Sequence, residues 1–441
     1  MNEQQPGLSR RGFISGATAS LAAPRFVSRY VLGDDNHAAA NEKISVGAIG
    51  IGFMMYGHHL PHFLKMPEVQ VVAVSDVDTS RRDAGKQRVD DAYGNSDCAS
   101  YNDYRAMMTR DDIDAIVCAT PHHWHALVIL DACKAKKDVF CEKPLTNNLM
   151  EAKMVIDAVT DAGIIFQTGS QQRANHNFRY ACELVRNSRL GRIKQVFVEV
   201  GGPPRNCDLP EEDLEPGLDW ERWLGPAPMR PYNSVLSPRG MHGHFPAWRS
   251  FSEYAGGGMT DWGAHHFDIA QWALGMDQSG PVEIVLPEDL TAGRGVKFIY
   301  ANGTEVVHGG PGGSGVTFIG TEGELYVARG KLESTPGEII QQPIGEDEIH
   351  LYQAPSGGHS GHRQDWVNCM ISRQQPNCSV ETGARTVAVC HLGNIAYLHG
   401  EELDGASLKW DPQRWTFVDN DEANKWQDYP YPRRQGYELT T

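Results

Sequence analysis

The run Val46-Gly47-Ala48-Ile49-Gly50-Ile51-Gly52 limits what this chain can fold into more than any other. A buried strand over residues 44–50 ends in a tight glycine turn, and helical sequence continues to about Met66. Gly50 permits the turn, and Gly52 lets an anion approach the backbone at a helix N-terminus. Val69 to Ser75 is an almost continuous apolar run, typical of a parallel strand covered on both faces. Charged helical sequence follows to about Tyr93. Ala115 to Ala119 reads as a strand, Trp124 to Lys136 as an amphipathic helix and Asp138 to Cys141 as a strand. Asn148 to Asp161 is a helix and Ile164 to Thr168 a strand. Short apolar runs alternating with helices predict right-handed βαβ units. Residues 43–170 are therefore expected to form a doubly wound, nucleotide-binding α/β domain.

A chain of 441 residues exceeds a single ordinary core, so a second domain is expected over 171–441. Its pattern differs. Ile193 to Val200 alternates apolar and polar residues, and short strands are predicted near 282–286, 296–300, 304–308, 315–319 and 324–328. Turn signals such as Asn302-Gly303 and Glu322-Gly323 separate them. Helices are predicted near 361–373 and 382–398. This part is therefore α+β with an open, mostly antiparallel sheet. Residues 201–255 are rich in Pro, Gly, Trp and Arg without periodicity, and so long an irregular stretch is usually functional.

Three groups carry chemistry. Asp76 ends the second strand, where its carboxylate can accept from both hydroxyls of an adenosine ribose and repel a 2′-phosphate. This favours NAD; NADP stays open because Arg81 and Arg82 lie nearby. Lys143, in Cys141-Glu142-Lys143-Pro144-Leu145, falls at the carboxyl edge of the sheet, where ligands of open α/β sheets collect. Pro144 restricts the backbone of Lys143, so its ammonium is aimed. Asp261 and His265 are four residues apart on a predicted helix and share a face. The carboxylate would fix the imidazole tautomer and raise its basicity, preparing His265 to accept a hydroxyl proton as hydride leaves the same carbon.

The remaining composition narrows the classes. A formal charge of −16 argues against nucleic-acid and anionic-membrane partners. The nine cysteines form no CxxC pair and are expected as buried free thiols. His122, His123 and His125, like His58, His59 and His62, lack the carboxylates or cysteines of a zinc site, so no metal is expected. There is no G-x-S-x-G elbow for a serine hydrolase. The N-terminal segment Ser9-Arg10-Arg11-Gly12-Phe13-Ile14, before a short run of small residues, resembles a twin-arginine export signal. Residues 1–40 are thus expected to be signal and linker, with Ala38-Ala39-Ala40 a cleavage site, and the mature protein to be periplasmic or otherwise extracytoplasmic. No stretch reaches membrane-spanning length.

Gly50-Ile51-Gly52, Ala119-Thr120-Pro121 with His125, Glu142-Lys143-Pro144, and Asp261 with His265 together resemble the Gfo/Idh/MocA family of oxidoreductases over roughly residues 43–400. The resemblance implies a bound nicotinamide cofactor, a cis Lys143–Pro144 peptide and oxidation of a hydroxyl on a sugar, glycoside or cyclitol. It also implies a homo-oligomer, dimer or tetramer, built through the second sheet. Lys143 would hydrogen-bond the reacting hydroxyl, His265 accept its proton and Asp261 orient the site. Gly50, Gly52, Phe53, Met54, Asp76, Thr120, His125, Glu142 and Lys143 are expected against the cofactor. Arg173, Trp248 and His266 are expected toward the substrate. Met55 stands where the third glycine of G-x-G-x-x-G belongs, and Gly57 is the candidate to replace it in helix packing. Because free NAD is scarce outside the cytoplasm, a tightly held NAD reduced and reoxidised in one site is expected. A redox-neutral glycosidase that oxidises, eliminates, hydrates and reduces is an alternative. A non-catalytic dinucleotide-binding sensor or scaffold is another.

Overall fold

The computed structural model describes residues 43–403 and 405–440; the twin-arginine segment lies outside them. Six strands form the first sheet: β1 (Ile44–Ile49), β2 (Val69–Ser75), β3 (Ala99–Tyr101), β4 (Ala115–Cys118), β5 (Asp138–Cys141) and β6 (Phe166–Thr168). Their order is β3-β2-β1-β4-β5-β6 and every pairing is parallel. The order reverses between β1 and β4, which creates the crevice where such sheets bind ligands. Local chemistry fixes the covering helices. Asp78 caps Thr79–Tyr93 by accepting from the amides of Ser80 and Arg81, and Gly94 ends it at φ 67°. Asn148 caps Leu149–Ala162 on the amide of Glu151, and Gly163 closes it at φ 65°.

The helix after the glycine turn is not regular. Met55–His59 is a π turn, followed by a short α segment, Leu60–Phe63. Pro61 has no N–H to give to the carbonyl four residues back, so a regular ladder cannot pass through it. Met55 is wholly buried in the core of this face. Gly57 does not substitute for the missing glycine, because a Cβ there would meet only the Phe53 ring at 3.7 Å. The close approach is made instead by Gly85, where a Cβ would lie 2.8 Å from Ile51.

The second sheet has nine strands: β7 (Ile193–Glu199), β8 (Glu283–Val285), β9 (Lys297–Ile299), β10 (Glu305–His308), β11 (Gly315–Gly320), β12 (Glu324–Ala328), β13 (Lys331–Thr335), β14 (Ser407–Asp411) and β15 (Thr416–Phe417). Their order is β13-β12-β11-β7-β10-β9-β8-β14-β15. Only β7 and β10 run parallel; the other pairs are antiparallel. Val196, Val198, Phe298, Val306, Val316, Phe318, Leu325 and Val327 are buried on the inner face. Helices His176–Arg186, Gly263–Leu274 and Val380–His399 cover that face.

The boundary expected at residue 170 is not a clean cut. Helix Gly358–Ser372 returns to the first sheet, where Trp366, Val367 and Met370 join the core of Val46, Phe63, Val71 and Phe140. All nine cysteines are free, and only Cys207 is not fully buried. No helix among the described residues is long and apolar enough to cross a membrane.

Candidate active site

Two cavities adjoin at the carboxyl edge of the first sheet. The nucleotide cleft is walled by Gly50, Gly52, Phe53, Met54, Asp76 and Thr120, and is roofed by the irregular stretch through Trp223, Phe245 and Trp248. Beside it lies a pocket of about 270 Å3 that contains Lys143, Asp261, His265 and Glu142. Met54, Thr120, Phe245 and Arg249 line both, so the two spaces are continuous.

The turn is built for close backbone approach. Gly50 has φ 80°, and a Cβ on it would strike the Thr120 amide nitrogen at 2.8 Å. Nothing lies within 4 Å of where a Cβ of Gly52 would be, so that cradle is open. Asp76 accepts from the Ile51 amide at 2.6 Å and the Asp78 amide at 2.9 Å, which ties the strand end to the turn. Burial pushes its carboxyl up, against the pull of Arg81 and those amides. Each oxygen keeps a lone pair for a ribose hydroxyl. Arg81 is directed to the carbonyls of Pro238 and Gly240 and to Ser237, and Arg82 to Asn102 and the Asp76 carbonyl. The residues present therefore fit a dinucleotide.

The catalytic candidates meet, but not in the expected pairing. The helical hydrogen-bond ladder breaks at Trp262, leaving Asp261 at the end of one helix, Gly257–Asp261, and His265 in the next, Gly263–Leu274. Asp261 binds Lys143 rather than His265. Lys143 Nζ donates to both Asp261 Oδ1 and the Asp261 carbonyl at 2.7 Å, and the Lys143–Pro144 peptide is cis, as expected. Arg249 Nε lies 3.7 Å from the same Oδ1. Burial would raise the Asp261 carboxyl, but Lys143 and Arg249 hold it below the usual value. His265 has no carboxylate partner among the described residues, and its Nδ1 is buried without a hydrogen bond. Burial, with Lys143 and Arg329 nearby, drives its pKa well below 6.5. The expected rise in basicity is thus corrected: burial leaves His265 neutral and less basic than a free imidazole.

Glu142 is set by a chain of donors. Arg363 Nε donates to His59 Nδ1 at 2.9 Å, so the His59 proton sits on Nε2, which donates to Glu142 Oε1 at 2.9 Å. Burial alone would raise Glu142; the His59 bond, with Lys143 and His359, brings it down to about 2. Burial lowers His59 to about 4 against the same bond, consistent with a neutral ring at pH 7.

Four expected site residues stand elsewhere. His125 lines neither cavity; it is buried and bridges the Pro144 carbonyl at 2.8 Å and the Thr120 carbonyl at 3.1 Å, bracing the two loops. Its ring groups with Cys118 and Cys141, all buried, but its two nitrogens already face those carbonyls. Arg173 is 1% exposed and locked to Asp268 and Asp277, so it cannot reach substrate. His266 is 1% exposed and faces the Glu199 carbonyl at 3.4 Å. Trp248 lines the nucleotide cleft and not the Lys143 pocket; its ring is perpendicular to His122 at 4.6 Å and lies under Arg249, 4.2 Å from the guanidinium. Arg249, Arg329, Gln171 and His359, which no motif marked, line that pocket instead.

Residues 44–170 match the family model described as "Oxidoreductase family, NAD-binding Rossmann fold", and residues 203–438 match its companion, "Oxidoreductase family, C-terminal alpha/beta domain". The chain belongs to the Gfo/Idh/MocA oxidoreductase family. Among Gfo/Idh/MocA relatives, inositol 2-dehydrogenase of Rubrobacter xylanophilus is 31% identical over 187 residues, 42% of this chain and 48% of that one. A glycosyl hydrolase family 109 protein of Shewanella woodyi is 34% identical over 117 residues, 26% of this chain and 25% of that one. The chain thus spans about half or less of the length of these curated relatives. The crystal structure of aldose-aldose oxidoreductase from Caulobacter crescentus shares the fold, with a TM-score of 0.57 at 17% identity, covering 83% of this chain and 99% of that one.

Proposed function

We propose that this chain is an NAD-dependent oxidoreductase acting on a hydroxyl of a sugar, glycoside or cyclitol. The observation that carries the proposal is the continuity of the Lys143–Asp261–His265 pocket with the glycine-turn cleft. Gly50, Gly52, Asp76 and Thr120 would hold the dinucleotide, whose nicotinamide supplies a hydride acceptor when bound. Asp261 fixes the Lys143 ammonium through two hydrogen bonds. The ammonium then orients the reacting oxygen and stabilises negative charge on it. Neutral His265 accepts the hydroxyl proton. The roof of residues 201–255 limits water at the reacting carbon.

The test is to purify the native protein and record nicotinamide absorbance before and after candidate sugars. Reduction of bound cofactor by a sugar supports the reading. A bound cofactor that no sugar changes, with no glycoside cleaved, would move the chain to a sensor or scaffold role. The glycosyl hydrolase relative favours a second reading, redox-neutral glycoside cleavage. Release of an aglycone with no net cofactor reduction would select it. Export by the twin-arginine route with NAD retained rests on residues 9–23, and N-terminal sequencing of periplasmic protein tests it. Assembly through the outer face of the second sheet, a dimer or tetramer, is tested by light scattering.

A further inference from the structure

Arg329 sits at the tip of the β12–β13 hairpin and lines the Lys143 pocket but not the nucleotide cleft. Its surroundings are unusual for a partly desolvated cation. Nε donates to Gln172 Oε1 at 3.1 Å, and the Gln172 amide in turn donates to the His265 carbonyl at 3.3 Å. With its amide turned to satisfy both neighbours, Gln171 donates to the Gly169 carbonyl at 2.8 Å and accepts from Arg329 Nη2 at 3.2 Å. The guanidinium lies over the Trp262 ring, 4.7 Å from its centroid. It is therefore held in place by two amides and an aromatic face, all of them neutral.

No carboxylate among the described residues pairs with it. The acidic groups that act on it are Asp261 and Glu142. Asp261 is engaged by Lys143, and Glu142 by His59. Lys143, Arg249 and Arg329 against Glu142 and Asp261 leave one positive charge without a counterpart in the pocket wall. A planar guanidinium with free N–H groups recognises a carboxylate through paired, charge-assisted hydrogen bonds.

We propose that Arg329 is a specificity-determining residue that takes the carboxylate of an acidic sugar, such as a hexuronic acid. The proposal rests on reading the Lys143 pocket as the sugar site. The single surplus charge matches one carboxylate rather than a phosphate dianion, and the absence of Arg329 from the nucleotide cleft separates its role from cofactor binding.

The test uses methyl glycosides in matched pairs, glucuronate with glucose and galacturonate with galactose, together with glucose 6-phosphate. Binding to the protein as purified is measured by calorimetry, and turnover by nicotinamide absorbance. The acid of at least one pair is expected to bind about tenfold or more tighter than its neutral partner. Arg329→Gln should collapse that ratio toward unity by weakening the acid, and Arg329→Lys should retain part of it. Equal or better binding of the neutral sugars, no binding of either acid, or a ratio unchanged in Arg329→Gln overturns the proposal. Preference for the phosphate overturns the carboxylate assignment. Acid-selective binding with neither cofactor reduction nor release of methanol from the glycoside would sink the oxidoreductase reading and leave this inference standing. Neutral sugars oxidised without preference would do the reverse.

Discussion

At the scale of single residues, the site depends on side chains that are absent as much as on those present. Gly50→Ala places a methyl group 2.8 Å from the Thr120 amide at φ 80°. The cost is about 1–3 kcal/mol of backbone strain plus displacement of Thr120. Dinucleotide affinity, measured by tryptophan fluorescence titration, should fall by more than tenfold (about 1.4 kcal/mol), whereas the open position at Gly52 should tolerate alanine in the free protein and lose affinity only on binding. His265 gives a second prediction. A proton acceptor works in its neutral form, and burial with Lys143 and Arg329 shifts the imidazole toward that form. Lowering the pKa moves the acid limb of kcat/KM to lower pH. The profile should therefore stay flat as pH falls to 6.5, the ordinary histidine value. A limb at or above that value would assign the titration to another group. That Gly50, Gly52, Asp76 and Lys143 would stand at the carboxyl edge of the first sheet was legible, because each sits at a fixed offset from a strand end. Arg329 was not, since Ala328-Arg329-Gly330 is an ordinary hairpin turn and only the tertiary fold carries it to His265. Arg173 and His266 misled for the converse reason: spacing does not reveal that Asp268, Asp277 and the Glu199 carbonyl claim them first.

At the scale of elements, helix Gly263–Leu274 is anchored by a buried ion pair. Asp268 is fully buried, takes both Nε and Nη2 of Arg173, and also accepts from Thr386. Three segments thus meet on one carboxylate. Removing that charge leaves a buried guanidinium with only Asp277, and the loss for such pairs is about 3–5 kcal/mol. Asp268→Asn should lower stability in chemical denaturation by that order while KM for the sugar is unchanged where the protein remains folded; an altered KM would give the pair a part in binding. The strands around the crevice were legible from their apolar runs. The short β3 was not, because Ala99–Tyr101 is an edge strand with partly exposed side chains. Helix His176–Arg186 carries Phe178, Ala181, Cys182 and Val185 at helical spacing behind an Asn175 cap, so its signal was present in the sequence. The break at Trp262 had no such signal, nor did the pairing of Asp261 with Lys143 in place of His265.

At the scale of the whole molecule, buried neutral histidines set the response to acid. Burial lowers His59, His266, His308, His362 and His391 to about 4, each against one or more hydrogen bonds. The unfolded chain binds protons at 6.5, the folded chain only near 4, so the unfolded state carries more protons between those values and stability falls as pH drops through that window. Glu142, depressed to about 2, adds a loss that continues below the ordinary carboxylate range. The thermal midpoint should therefore decline on acidification from 6.5, before most carboxylates titrate; a midpoint constant down to about 4 would contradict the buried, neutral state of these rings. Helix Gly358–Ser372 has a different consequence, one of timing. It supplies Trp366 and Arg363 to a sheet whose own strands end at Thr168. During synthesis, that face of the nucleotide-binding half stays bare, and Glu142 lacks its distal support, until most of the chain has left the ribosome. A nascent chain stalled before Gly358 should leave Phe63 and Phe140 without their Trp366 cover, open to chaperones and proteases.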